Sequence, residues 1–103
     1  MKTIMLVCVA GMSTSLLVTK MQKAAQSQNV DADIFAIAEN EVDRTLASKN
    51  IDVLLLGPQV RYLKSSFDKK YANSDFPIDV INMSDYGMMN GENVLKQALA
   101  LAK

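Results

Sequence analysis

The strongest constraint on the fold is an unbroken apolar run at residues 4–7, which meets a glycine- and hydroxyl-rich segment within a few residues of its end. An apolar run of this length predicts a strand that is buried on both faces, as in a parallel sheet. After the segment, four apolar residues recur at helical spacing: Leu17, Met21, Ala24 and Ala25. They predict an amphipathic helix, for which Ser13 or Thr14 is the expected N-cap.

The same succession of strand and helix repeats along the rest of the chain. Further strands are predicted at residues 31–37, 51–56 and 78–81, the first near a sheet edge because it is mixed in polarity and the second central because it is apolar. Asn40 is the expected N-cap of a short second helix and Asn90 that of the last helix. The pattern predicts an α/β fold, a single three-layer domain with a four-stranded parallel sheet and helices on both faces.

Cys8 stands where the first predicted strand ends, and ligands of parallel sheets bind beyond the carboxyl ends of the strands. The unpaired N–H groups of the following helix attract anions and favour a thiolate, the form that attacks. Gly11 allows successive N–H groups to converge on an anion, and Ser13, Thr14 and Ser15 add three hydroxyls. We expect a phosphate site with a reactive Cys8. The alternative is a small buried hydrophobe, the usual role of a free cysteine in a strand.

Composition excludes several classes of function. Eleven basic and eleven acidic side chains cancel, which argues against a nucleic-acid partner. The chain has no histidine, so histidine-dependent triads and the usual zinc sites are excluded, and no metal is expected. A single cysteine cannot form an intramolecular disulfide and indicates a reducing, cytoplasmic compartment. No apolar stretch reaches about 20 residues, so no membrane insertion is expected. At 103 residues the chain is predicted to be one domain.

Two segments together resemble a known family. Residues 8–15 read Cys-Val-Ala-Gly-Met-Ser-Thr-Ser, and residues 54–59 read Leu-Leu-Leu-Gly-Pro-Gln. In this combination they resemble the IIB component of the lactose/cellobiose (diacetylchitobiose) family of the bacterial sugar phosphotransferase system (PTS). The similarity covers essentially residues 1–103, including Tyr86, Gly87 and the C-terminal helix. It implies a lactose/cellobiose-type IIB domain with a flavodoxin-like fold, close to that of low-molecular-weight phosphatases.

The resemblance also implies a function and a set of partners. Cys8 would be the phosphocysteine intermediate, taking a phosphoryl group from a phosphohistidine of a IIA protein and passing it to a sugar that enters through a membrane IIC protein. The sugar implied is a β-disaccharide such as cellobiose, chitobiose or lactose. The chain would need no metal or cofactor, and a monomer is expected. The phosphate-binding loop would consist of Val9, Ala10, Gly11, Met12, Ser13, Thr14 and Ser15.

Two other classes of protein remain as alternatives. Low-molecular-weight tyrosine phosphatases are similar in design, but they need an arginine six positions after the cysteine, where this chain has Thr14, and an Asp-Pro pair, whereas Asp85 precedes Tyr86. A flavodoxin-like binding module or redox thiol is the second alternative, although a Cys-x-x-Cys pair is missing. The sequence also leaves open the role of three methionines near the C-terminus: Met83, Met88 and Met89. They either fill the core or form an adaptable docking surface.

Overall fold

Parallel strands form the centre of the molecule. The computed structural model describes residues 1–8 and 12–102, with the backbone alone at residues 12 and 13, and over these residues it has four strands in one sheet. Their bounds are Lys2–Cys8 (β1), Ala32–Ala38 (β2), Val53–Leu56 (β3) and Ile78–Val80 (β4). The order across the sheet is β2-β1-β3-β4, and each pair of neighbours is parallel. The predicted parallel sheet is confirmed, with β2 at an edge and β3 in the interior.

Helices follow the strands and cover the sheet. Their bounds are Met12–Ser27 (α1), Val42–Ser48 (α2), Leu63–Lys70 (α3), Met83–Gly87 (α4) and Gly91–Leu101 (α5), with short 3-10 turns at Glu39–Glu41 and Pro58–Val60. None of the helices in residues 12–102 is both long enough and apolar enough to cross a lipid bilayer.

The two faces of the sheet have separate apolar cores because side chains alternate along each strand. Ile4 and Leu6 of β1 belong to the core beneath α1 and α5, which we call core A. Met5 and Val7, one residue out of phase, belong to the core beneath α2 and α3, which we call core B. All four side chains are 0% exposed. The helices therefore lie on both faces, and the predicted three-layer arrangement is confirmed.

The helix starts were predicted with mixed success. Asn90 caps α5 as expected, accepting a hydrogen bond from the Asn93 N–H at 3.1 Å. The prediction of Ser13 or Thr14 as the N-cap of α1 was wrong, because α1 begins earlier, at Met12. The prediction of Asn40 as an N-cap was also wrong, because Asn40 lies inside a 3-10 turn and α2 follows that turn without a side-chain cap.

Two features of the fold were not predicted. The short helix α4 begins after Asn82, whose side-chain oxygen accepts a hydrogen bond from the Asp85 N–H at 3.1 Å. At the β2 edge of the sheet, the Gln22 side chain of α1 donates to the Ile34 carbonyl of β2 at 3.0 Å. The Asn82 side chain thus caps α4, and the Gln22 side chain joins α1 to the backbone of β2.

Candidate functional site

The candidate site lies at the carboxyl edge of the sheet, between β1 and β3. The connection after β1 leads to β2 on one side, whereas the connection after β2 crosses to β3 on the other, so the strand order reverses at β1. One residue beyond the end of β3 the pairing with β1 continues, with the Gly57 N–H donating to the Val7 carbonyl at 2.9 Å. This reversal point is where open parallel sheets bind ligands.

Cys8 is the last residue of β1, as predicted, and is a free thiol. Its Sγ lies 3.7 Å from the carbonyl oxygen of Ile37 in the neighbouring edge strand β2, a distance that suits a weak S–H donor. The residue is only 4% exposed. In this state the sulfur therefore faces the backbone of β2 and is shielded from solvent.

Gly57 provides the close neighbour of Cys8 on the β3 side. A β-carbon at position 57 would lie 4.0 Å from the Cys8 β-carbon, 3.5 Å from the Val7 carbonyl oxygen and 3.1 Å from the Gln59 side-chain oxygen. The last of these distances is shorter than an ordinary van der Waals contact. A side chain at position 57 would therefore meet the Gln59 side chain most closely, within the turn at Pro58–Val60, and would touch the end of β1 at ordinary contact distances.

Three polar side chains from three separate segments meet at the same edge. The Thr14 hydroxyl, in the first turn of α1, lies 3.5 Å from the Tyr86 hydroxyl of α4. The Gln59 side-chain N–H donates to the same Tyr86 oxygen at 3.2 Å. Thr14 is 1% exposed and Tyr86 8% exposed, so the contact between them is shielded from water. The fold joins α1, the turn after β3 and α4 through one phenol oxygen.

The predicted phosphate-binding loop falls only partly within the residues that the structure describes. Val9, Ala10 and Gly11 lie outside them, as do the side chains of Met12 and Ser13. The remaining two hydroxyl residues differ in surroundings, since Thr14 is buried beside Tyr86 and Ser15 is exposed.

Sequence reasoning missed the contacts of Tyr86 with Gln59 and with Thr14. Gln59 and Tyr86 belong to segments that had been noted, but no role was predicted for their side chains. The available signal was positional, because the segments after β3 and β4 reach the same edge of a parallel sheet as the end of β1. The short helix α4, which places Tyr86, lacked an apolar repeat long enough to be recognised.

A shallow groove of about 480 Å³ lies beside these residues, between the start of α3 and α4. Its lining residues are Pro58, Gln59, Arg61, Tyr62, Met83, Tyr86 and Gly87. Met83 and Met88 are 61% and 67% exposed, so they do not fill the core, whereas the partly buried Met89 packs against core A.

Comparison with known proteins establishes the family. The family model described as "PTS system, Lactose/Cellobiose specific IIB subunit" matches residues 3–97. The chain belongs to this family. The resemblance noted in the sequence is thus confirmed, and the protein is a sugar-specific IIB component of the PTS.

Individual relatives support the family over almost the whole IIB chain. It is 53% identical over 100 residues to the "PTS system galactose-specific EIIB component" of Lactococcus lactis subsp. cremoris (strain MG1363), covering 94% of this chain and 93% of the relative. The "PTS system cellobiose-specific EIIB component" of Lactococcus lactis subsp. lactis (strain IL1403) matches with the same identity and coverage. Relatives named for different sugars are therefore equally similar.

A solved structure agrees with the fold of the IIB chain. The solution structure of a cellobiose-specific phosphotransferase IIB component protein from Borrelia burgdorferi is 44% identical, with a TM-score of 0.79, and the match covers 98% of this chain and 91% of that one. The α/β fold is thereby confirmed by a protein of the same family.

Proposed function

We propose that this IIB chain is a phosphocysteine carrier. Cys8 takes a phosphoryl group from a phosphohistidine of a IIA protein and transfers it to a sugar translocated by a membrane IIC protein. The observation that carries the proposal is the position of the chain's single thiol, at the carboxyl end of a central strand, next to the reversal of strand order and four residues before the start of α1. Family membership supports the same assignment.

The two transfers are displacements at one phosphorus atom. In the first, Cys8 loses its thiol proton and the sulfur attacks phosphorus, so that an S–P bond forms while the N–P bond of phosphohistidine breaks. The imidazole nitrogen keeps the electron pair and takes up a proton. In the second, a sugar hydroxyl oxygen attacks, the O–P bond forms and the S–P bond breaks. Sulfur leaves with its electron pair, and the hydroxyl proton is released.

Catalysis of this kind consists mainly of positioning and charge stabilisation. A phosphoryl group adds roughly −1.5 to −2 charge by analogy with phosphorylated hydroxyl side chains. We assign its oxygens to the backbone N–H groups from Val9 to Ser15, at the N-terminus of the 16-residue helix α1. The hydroxyls of Ser13, Thr14 and Ser15 have a secondary role in this proposal.

The contact between the thiol and Ile37 sets a requirement on the reaction. The Ile37 carbonyl oxygen accepts from Sγ–H, and phosphoryl oxygens would also present acceptors, so the two would repel each other. At 4% exposure the sulfur also lacks room for an incoming phosphohistidine. The proposal therefore includes a rotation of the Cys8 side chain away from β2 before the phosphoryl group is accepted.

The partners and the location follow from the same proposal. We assign the chain to the cytoplasm, as one domain over residues 1–103 that acts as a monomer between IIA and IIC. The substrate we propose is a β-disaccharide such as cellobiose, chitobiose or lactose. The cellobiose-specific name of one relative supports this class, and the galactose-specific name of an equally similar relative leaves the individual sugar open to measurement.

The decisive experiment measures intact mass before and after incubation with the phosphorylated general phosphocarrier protein and a IIA protein of the lactose/cellobiose family, followed by mapping of the modified residue. We expect one added phosphoryl group on Cys8. Cys8→Ser should keep the circular dichroism spectrum and unfolding midpoint of the parent but take up no phosphoryl group. Phosphorylation of that variant would remove Cys8 from the mechanism.

A second measurement separates the carrier from a phosphatase. The purified chain should not turn over an aryl phosphate, because Thr14 stands where phosphatases of similar design have an arginine that grips the phosphate. Repeated turnover that is lost in Cys8→Ser would favour the hydrolase instead.

A further inference from the structure

The hydrogen-bonded group of Thr14, Gln59 and Tyr86 contains two buried polar side chains, those of Thr14 and Tyr86. Among residues 1–8 and 14–102, whose side chains the structure describes, Thr14 is the only hydroxyl, amide or charged side chain in the buried class apart from the tyrosine it meets. The ring of Tyr86 belongs to core A. A phenylalanine ring would make the same apolar contacts without the cost of burying a hydroxyl, which must be offset by polar partners. Packing alone therefore does not account for the phenol oxygen.

The hydrogen-bond geometry shows how the three side chains share that oxygen. Gln59 donates to it at 3.2 Å, so the phenol oxygen is the acceptor in that bond. The Thr14 oxygen lies 3.5 Å away, longer than the 2.5–3.0 Å typical of a strong O–H···O bond. The connection to the turn after β3 is therefore firm, whereas the connection to α1 has room to shorten.

The network reaches both sides of the proposed phosphoryl site. Thr14 lies two residues after the start of α1, so its position fixes the first turn of that helix. Gln59 belongs to the turn after β3, which starts beside the end of β1: the Gly57 N–H donates to the Val7 carbonyl at 2.9 Å, and a β-carbon on Gly57 would lie 4.0 Å from that of Cys8. One phenol oxygen thus links the helix that follows Cys8 with the turn that lies beside it.

We propose that Tyr86 is a positioning residue for phosphoryl transfer at Cys8. Its hydroxyl, held by Gln59, orients Thr14 and with it the first-turn N–H groups of α1, and the hydrogen bond to Thr14 shortens when Cys8 carries the phosphoryl group. This inference rests on the proposed function, and it adds a residue 78 positions away from Cys8 in the sequence. Positioning of this kind acts on the transfer step more than on partner binding.

The test uses variants that remove one hydroxyl at a time. Tyr86→Phe removes the phenol oxygen and keeps the ring, and Tyr71→Phe is the matched control, because Tyr71 also donates its hydroxyl to a neighbour, the Asp43 carboxylate at 2.6 Å in the layer of α2 and α3. Thr14→Val removes the other hydroxyl at nearly constant volume, and Thr14→Ser restores it.

Two quantities should change together in Tyr86→Phe and in Thr14→Val. With a phosphorylated IIA protein of the lactose/cellobiose family as donor, the single-turnover rate constant of transfer to Cys8 should fall about 3- to 10-fold, the effect of one lost hydrogen bond. The concentration of donor that gives half of the maximal rate should stay within about twofold. The ³¹P chemical shift of the phosphocysteine should move in both variants. Tyr71→Phe should match the parent, and Thr14→Ser should recover most of the rate that Thr14→Val loses.

Each other outcome is informative. A transfer rate and ³¹P shift of Tyr86→Phe equal to those of Tyr71→Phe would overturn the positioning role. An increase in the half-saturating donor concentration at an unchanged maximal rate would also overturn it, because Tyr86 would then act in docking alone. If Tyr86→Phe unfolds, Gln59→Met takes its place, because it removes the N–H that holds the phenol oxygen. A transfer rate and ³¹P shift of Gln59→Met equal to those of the parent would then overturn the positioning role. If the parent protein itself takes no phosphoryl group on Cys8, the proposed function fails and this inference fails with it.

Discussion

The two helical layers of the molecule are built differently. The layer over core A is built mainly from two long helices, α1 of 16 and α5 of 11 residues, packed against each other, with the short α4 beside them. Their contact is so close that a β-carbon on Gly91 would lie 2.5 Å from a backbone carbon of Lys20 and 2.6 Å from the Met21 nitrogen. The layer over core B consists of α2 of 7 and α3 of 8 residues.

The second layer relies more on polar and aromatic contacts at the surface. The Asp43 carboxylate accepts from Lys70 and from Tyr71, each at 2.6 Å. The rings of Phe67 and Tyr71 pack edge to face at 5.4 Å between centroids. Exposed ion pairs of this type contribute little to stability, about 0–1 kcal/mol.

The difference indicates where the molecule needs rigidity. The helix α1, whose N-terminus adjoins the candidate site, is held by buried apolar packing and close backbone contact and does not depend on surface ion pairs. The layer of α2 and α3 covers the other face and is more open to change. Three experiments test whether the contrast holds.

The largest difference in the free energy of unfolding is expected when one leucine in each layer is replaced by alanine. Leu95 of α5 is 0% exposed, and Leu95→Ala should lower the free energy of unfolding by about 3 kcal/mol, because it removes buried carbon and leaves a cavity. Leu63 of α3 is only partly buried, and Leu63→Ala should cost about 1–2 kcal/mol. Urea unfolding monitored by circular dichroism measures both, and equal losses would show that the layers do not differ.

A glycine pair sharpens the same contrast. Gly91→Ala should destabilise the protein by about 2–3 kcal/mol, because the new methyl group would meet the backbone of α1, which cannot rotate away. Gly87→Ala is the control, since a β-carbon there has no neighbour within 4 Å, and it should be neutral or stabilising by up to about 1 kcal/mol. If both variants had similar unfolding midpoints, the α1–α5 contact would be looser than the structure indicates.

The smallest effect concerns the pH dependence of the α2–α3 layer. The hydrogen bond from Lys70, and then that from Tyr71, holds the pKa of Asp43 below its usual 3.8. The bond to Asp43 raises the pKa of Lys70 above 10.5. Burial, followed by the bond to Asp43, raises the pKa of Tyr71 above 10.0.

The sign of each contribution follows from linkage. The stabilisation from Asp43 is present above pH 3.8 and is lost as pH falls through its lowered pKa, whereas that from Tyr71 and Lys70 is lost as pH rises above 10.0. Asp43→Asn should therefore flatten the acid limb of a plot of unfolding midpoint against pH, flatten the alkaline limb only in part because the burial of Tyr71 remains, and change the midpoint at pH 7 only slightly. Asp68→Asn, which breaks the exposed Lys64–Asp68 pair, is the control for losing a surface ion pair. A profile of Asp43→Asn parallel to that of the parent would contradict the assignment.

Much of the fold could be predicted because apolar periodicity carries the information. Residues 4–7 form a continuous apolar run and residues 51–56 are apolar except for Asp52, and the central positions of these two strands follow from that. The cap at Asn90 was predictable because its side chain acts on the nearby Asn93. The cap expected at Asn40 failed since the chain forms a 3-10 turn there, and no local signal separates such a turn from the start of an α-helix.

The candidate site was predictable only where it is continuous in sequence. The position of Cys8 at the end of β1 follows from the apolar run before it. The burial of its sulfur against Ile37 could not be foreseen, because it depends on the register between β1 and β2. The meeting of Thr14 with Tyr86 depends on the whole crossover topology, since the two residues are 72 positions apart.

The hydrogen bond from Gln22 to the Ile34 carbonyl has a consequence for behaviour at high concentration. β2 is a seven-residue edge strand. An edge of this length presents backbone N–H and C=O groups that can pair with a strand of another molecule. The amide of Gln22 occupies one of these carbonyls, and the Lys49–Asp33 ion pair places charge beside it. Together they discourage sheet-to-sheet aggregation at the one long border that the fold leaves open over its described strands.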